Sequence, residues 1–234
     1  MKTSNQMLNS VLDLISTVEP LGHDVQIIFR GQNCDDALLP KVTRKDPTHN
    51  TADQERKMLE ELKRRSAQDP NLIGRDDWDC LVYAQHYGMA TRLLDWTTNP
   101  LVALWFAVID QNEKQDGYVY LLFADDELLV DKQKEPDPFA IAKTRVFKPN
   151  INNPRIAAQS GWFTVHRFSA RSGKFVDLHE NKDLKQRVLM KGVSGNKKRD
   201  ILKSLDKLGV NHESVFPGIE GTCRHMNWFF DVIP

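Results

Sequence analysis

Residues 84–107, AQHYGMATRLLDWTTNPLVALWFA, set His86, Arg92, Asp95, Thr97 and Thr98 among Leu93, Leu94, Trp96, Leu101, Leu104, Trp105 and Phe106. Polar groups inside an apolar run are costly unless each finds a partner, so such a stretch marks a buried polar cluster or the wall of a cleft. Asp95, Thr97 and Asn99 lie just before Pro100, which reads as the first residue of a helix. The free N–H groups of a helix start attract phosphate or ribose oxygens. The alternative is that these three side chains only close the cap and turn. His86 lies near the end of a helix stopped by Gly88. It is either a packing histidine or, with Arg92 six residues on, part of the same cleft.

Two further stretches carry chemistry. In Phe29-Arg30-Gly31 an arginine leaves the end of a buried strand, VQIIF. Rigid backbone holds it, and its guanidinium can give forked hydrogen bonds to a phosphate or to a structural carboxylate. Gly31 lets backbone approach a ligand closely. In RIAAQSGWF (155–163) Gln159 sits between small residues on what reads as a strand. A buried glutamine needs partners for both ends of its amide, and a ligand can supply one. The chain has no zinc constellation, no Walker GxxxxGK[ST], no GxGxxG and no GxSxG.

The elements that must position these residues follow from periodicity. Met7, Leu8, Val11, Leu12 and Ile15 fall at helical spacing over 5–17, closed by Pro20 and Gly22. Strands are expected at 25–29 and 117–124, one or two more over 155–169, and further strand material in KFVDLHE and LKQRVLMKG. Residues 38–50 and 135–139 read as loop. Helices are expected at 52–66 with Met58, Leu59 and Leu62 inward, at 78–87 capped by Asp76 or Asp77, from Asn99-Pro100 onward, and at 197–209 with Ile201, Leu202, Leu205 and Leu208 inward. Helices early and strands later predict an α+β fold rather than a strict βαβ series.

With 234 residues the chain is long enough for one large domain or for one domain with an appendage. Lys plus Arg and Asp plus Glu both total 32, so overall charge favours neither a polyanion nor a membrane surface. Locally, residues 182–207 hold nine Lys/Arg against three Asp. That segment is a solvated helix face or a contact patch for nucleic acid or protein. Three widely spaced cysteines, Cys34, Cys80 and Cys223, fit a reducing compartment. The first twenty residues lack a signal-peptide core and no run of about 18 apolar residues occurs, so a cytoplasmic protein is expected, with no membrane partner.

FRGQ (29–32), LLPKVTR (38–44), LVYAQHYGMATRLLDWTTNPLVALWFA (81–107), DGYVYLL (116–122), RIAAQSGWF (155–163) and the tail over 201–221 together resemble the FRG domain family, named for its Phe-Arg-Gly motif. The likeness runs over about residues 25–221 and implies an N-terminal helical segment (1–24) followed by a single domain (25–234) with a basic, helical C-terminal part. A weaker likeness is to ADP-ribosyltransferases. IIFRG (27–31) resembles their first strand, LLDWTTNPLVALWFA (93–107) their second strand and following helix, and RIAAQSGWF offers Gln159 where those enzymes carry Glu.

This second likeness implies a mixed β core with flanking helices and NAD as substrate, with no metal. Arg30, His86, Asp95 and Gln159 are then the catalytic candidates. Phe29, Gly31, Gln32, Tyr87, Thr91, Arg92, Trp96 and Thr97 are the candidates for holding NAD. Arg30 would grip the pyrophosphate or a ribose, with Gly31 and Gln32 on the nicotinamide side and Tyr87 or Trp96 stacked on that ring. Thr97 and Asp95 would bond a ribose hydroxyl or support Arg30; Gln159, His86 or Asp95 would orient or deprotonate the acceptor. The implied acceptor is a nucleic acid such as RNA, or a protein. By the same analogy a toxin or defence effector with a neutralising antitoxin partner is expected. Two other readings stay open: a nuclease-like enzyme using Arg30, His86, Arg92 and Asp95 on phosphate, and a nucleotide-binding module without catalysis.

Overall fold

The computed structural model describes residues 7–22, 24–111 and 114–232. The first six residues of the expected N-terminal segment, and so the start of the helix expected from residue 5, lie outside these. The elements run α1 (Val11–Val18), β1 (Gln26–Gln32), α2 (Ala52–Arg65), α3 (Asp77–His86), β2 (Leu93–Thr97), α4 (Pro100–Val108), β3 (Gly117–Ala124) and β4 (Arg145–Phe147). They continue with α5 (Pro154–Gln159), β5 (Gly161–Val165), β6 (Phe168–Ser169), β7 (Lys174–Phe175), β8 (Val188–Val193), α6 (Lys198–Lys207), α7 (His212–Val215) and α8 (Ile219–Phe229). The α+β class expected from the sequence holds. The large sheet has the order β4-β5-β2-β1-β3-β8, and each of its strand pairings is antiparallel where a mixed sheet was expected.

Both faces of this sheet are covered. On one, Phe29, Val119 and Leu121 pack with Val102, Trp105 and Val108 of α4 and with Ile201, Leu202 and Leu205 of α6. On the other, Ile28, Leu94, Trp96, Tyr120 and Leu122 pack with Leu178 and Leu184. The alternation of Ile28 and Phe29 between faces is the period-two signature of a strand buried on both sides.

Several starts and inward faces differ from expectation. The first helix begins only at Val11, where Ser10 and Asp13 form a reciprocal capping box. Leu8 instead bridges to Val193, and Leu14 rather than Leu12 or Ile15 is buried. In α2 Leu59 is buried but Met58 is exposed, and beyond α6 Leu208 is exposed as the C-cap residue. The stretch expected as strand at 155–159 is helix α5. Asn153 accepts from Arg155 N at 2.8 Å and Pro154 takes the first turn, the same Asn-Pro start that opens α4.

Gly31 has a structural reason that differs from the expected one. A Cβ there would lie 1.8 Å from Ala103 O and 2.7 Å from Ala107 N. The missing side chain lets α4 lie directly against β1.

Candidate functional site

The site forms where two strands part. β1 pairs with β3 along its whole length, yet its register with β2 is carried by one pair, Phe29 with Thr97. Beyond that pair the backbones separate and a cavity of about 290 Å³ opens between them. Arg30, Asp95 and Thr97 line it from the sheet, Gln85 and His86 from the end of α3, and Arg155 and Gln159 from α5. Phe29, Gly31, Val82, Phe106, Ile156 and Phe163 supply apolar wall. Its volume is near the lower end of small-molecule pockets.

Arg30 bridges the parted strands. Its Nη1 donates to the backbone oxygen of Asp95 at 2.7 Å, and its Nε donates to Gln32 Oε1 at 2.9 Å. A side chain thus takes a carbonyl that the sheet ladder leaves open. Gln32 is itself fixed, donating to the Asp36 carbonyl at 2.9 Å, so it positions Arg30 and does not reach the cavity. These bonds leave Nη2 for an incoming oxygen. Desolvation lowers the Arg30 pKa to about 10, with Asp95 pulling it up and Arg44 pushing it down, so it stays cationic at neutral pH.

Asp95 is the carboxylate of the cavity lining. Its Oδ1 accepts from Gln85 Nε2 at 2.8 Å, and Gln85 Oε1 in turn accepts from Thr91 Oγ1. The chain Thr91–Gln85–Asp95 therefore orients the acid. Thr91 is a buried positioning residue at its base rather than a ligand contact. Thr97 is also committed: its hydroxyl donates to the Gln159 carbonyl at 2.5 Å and accepts from Asn99 N at 3.0 Å. Asn99 Oδ1 in turn caps the N–H groups of Leu101 and Val102. The turn before α4 is thus satisfied by its own side chains, which favours the capping alternative over a phosphate site at that helix end.

Gln159 ends α5. Its Nε2 donates to the Val215 carbonyl at 3.2 Å. Ser160 follows in the left-handed region at φ 47°, turning the chain sharply from helix into β5. His86 is half-buried; desolvation first, then Arg155, hold its pKa below the usual imidazole value, so it is neutral at neutral pH. Arg155 and Gln85 join the site without having been expected from the sequence. Arg155 meets the Phe216 ring only through the fold, which short-range spacing does not reveal, whereas Gln85 bonds Thr91 and Asp95 within its own motif.

Of three further expected contacts, two lie outside the lining and the third is packed into the core. Arg92 is 1% exposed and bonded to Glu55 at 2.9 and 3.2 Å, with the carbonyls of Pro138 and Phe139 completing its shell. Tyr87 is 69% exposed and packs edge-on against His86 outside the lining. Trp96 lines the cavity but is only 3% exposed, and its Nε1 donates to Thr164 Oγ1 at 3.0 Å, so most of it packs in the core. Among the described residues no group of three or more His, Cys, Asp or Glu could hold a metal ion, and no helix is long and apolar enough to cross a membrane.

No curated protein and no solved structure matches the chain. The model of the FRG domain matches residues 25–116, which spans β1, the Arg30 bridge, α3, β2 and α4 but stops before Arg155 and Gln159. Residues 25–116 of the chain thus carry an FRG domain.

Proposed function

We propose that the cavity binds NAD and that the protein transfers ADP-ribose from it to a macromolecular acceptor. The observation that carries this reading is the convergence of Arg30, Asp95 and Gln159, from three separate elements, on one cavity. The order of motifs resembling ADP-ribosyltransferases supports it, and their core is the fold reading that goes with it.

Breaking the bond between ribose C1′ and the nicotinamide nitrogen builds positive charge on the ribose, as in glycoside cleavage. Asp95 sits where a fixed carboxylate would stabilise that charge, and so takes the role that Gln159, lacking an acid, cannot. Arg30 Nη2 holds the pyrophosphate. Neutral His86 accepts the acceptor's proton as the new C1′ bond forms and nicotinamide leaves. Gln159, with its amide nitrogen on the Val215 carbonyl, presents its oxygen to orient the acceptor. The acceptor is RNA or a protein side chain, and a toxin-like role with a neutralising partner is consistent with this chemistry.

The test uses NAD labelled in its adenylate part, incubated with RNA, DNA and lysate protein. Label fixed to one of these, dependent on Asp95, is expected. A second reading rests on the glutamine at position 159: a cavity that binds NAD without turning it over. Calorimetry giving NAD binding, with no label fixed to any acceptor, would favour it.

A further inference from the structure

Arg155 stands in the cavity without a dedicated partner. It is half-buried at the second position of α5, and among the described residues its guanidinium makes no ion pair and no side-chain hydrogen bond. The Phe216 ring lies 4.6 Å from its guanidinium carbon and holds the fork without neutralising it. The acids near it are engaged elsewhere: Glu220 pairs with Arg224 at 2.6 Å, and Asp95 accepts from Gln85. Desolvation lowers the Arg155 pKa below its ordinary value, as expected of a cation lacking a close counter-charge. Arg30 offers Nη2 to the same cavity. The N–H groups at the start of α4, the other donors that could meet a phosphate, are capped by Asn99.

We infer that Arg155 is the second arm of an anion clamp with Arg30, and that the cavity selects ligands bridged by a diphosphate. This rests on the reading of the cavity as a dinucleotide site and narrows it. Both arginines line the cavity, one from β1 and one from α5, and two planar forks offer donors to separate phosphoryl groups of a diphosphate. Asp95 is attracted to both arginines.

Calorimetry on the full chain tests this with NAD, ADP-ribose and inorganic pyrophosphate, against nicotinamide riboside, which carries no phosphate. Arg155→Gln is expected to weaken the three diphosphate ligands by about tenfold or more, the loss of one charge-assisted pair. Nicotinamide riboside should stay within about twofold, a difference too small to reflect a lost bond. Arg155→Lys, which keeps the charge and loses the fork, should fall between, and serves if Arg155→Gln melts early. Unchanged diphosphate binding in Arg155→Gln overturns the clamp while leaving the NAD reading intact. Equal loss of nicotinamide riboside overturns it too, since the site has then collapsed. Pyrophosphate binding that depends on Arg155, with no binding of NAD or ADP-ribose, upholds the clamp and removes the NAD reading. A wild-type protein that binds none of the diphosphates overturns both.

Discussion

Arg30 and Arg92 carry the same guanidinium into opposite situations. Arg92 has Glu55, two backbone carbonyls and the Phe139 ring at 4.9 Å, and is closed to solvent. Arg30 has one carbonyl and one amide oxygen and, among the described residues, no bond to its remaining nitrogen, and it lines a cavity. A cation whose donors are all taken by the protein holds the protein together. One left with a free donor in a concave site is arranged for something that is not there yet. The lesson is that saturation, rather than residue type or burial, separates a structural arginine from a candidate binding one.

The sharpest way to break that comparison is Arg92→Ala. It strands Glu55 as a buried, unpaired charge, and a loss of about 3–5 kcal/mol in denaturant unfolding is expected. A loss below about 1 kcal/mol would put Arg92 back among the exchangeable residues. Arg30→Ala should do the reverse. Its unfolding free energy should drop by only about 1 kcal/mol for the lost bonds, while the labelled-NAD reaction slows ~100-fold. Gly31→Ala is expected to act on stability alone. The added methyl meets the α4 backbone, and about 1–3 kcal/mol should be lost in thermal or denaturant unfolding. If this variant folds normally and only ligand binding suffers, the glycine serves the ligand after all.

The smallest effect sharpens the comparison through a group that feels both arginines. His166 is buried, with Nδ1 unpartnered and its other ring nitrogen 3.1 Å from Thr164 Oγ1. Desolvation first, then Arg30 and Arg92, lower its pKa to about 3. The folded state therefore keeps it neutral while the unfolded chain takes up a proton below about pH 6.5. Stability should fall as pH drops from there toward 3, by up to about 1.4 kcal/mol per pH unit from this group. A His166→Gln variant should lack that slope in unfolding titrations, and equal slopes would show that His166 is not held neutral.

Much of the candidate site was legible because it lies in one contiguous run. Asp95, Thr97 and His86 are carried on β2 and α3, and Arg30 was marked by leaving a strand end. What stayed hidden was partnership over distance. Glu55 lies 37 residues before Arg92, so nothing in the local pattern shows that Arg92 is already taken. Gly31 answers to Ala103 and Ala107, which reach it only after the sheet has formed. Helix α5 was misread because RIAAQ is too short for a period to appear, although Asn153-Pro154 carried the same start signal as Asn99-Pro100. With the strand reading, Gln159 seemed to need a ligand; in the helix its amide nitrogen is held by Val215. The opening between β1 and β2 depends on where pairing stops, and alternation of side chains cannot give that.

The most direct test of the central claim is a structure determined with NAD at millimolar concentration. The account expects the diphosphate within about 2.7–3.2 Å of Arg30 Nη2 and the reacting ribose facing the Asp95 carboxylate. NAD bound on another face, or a cavity that stays empty while Arg30 and Asp95 keep their present bonds, would contradict it.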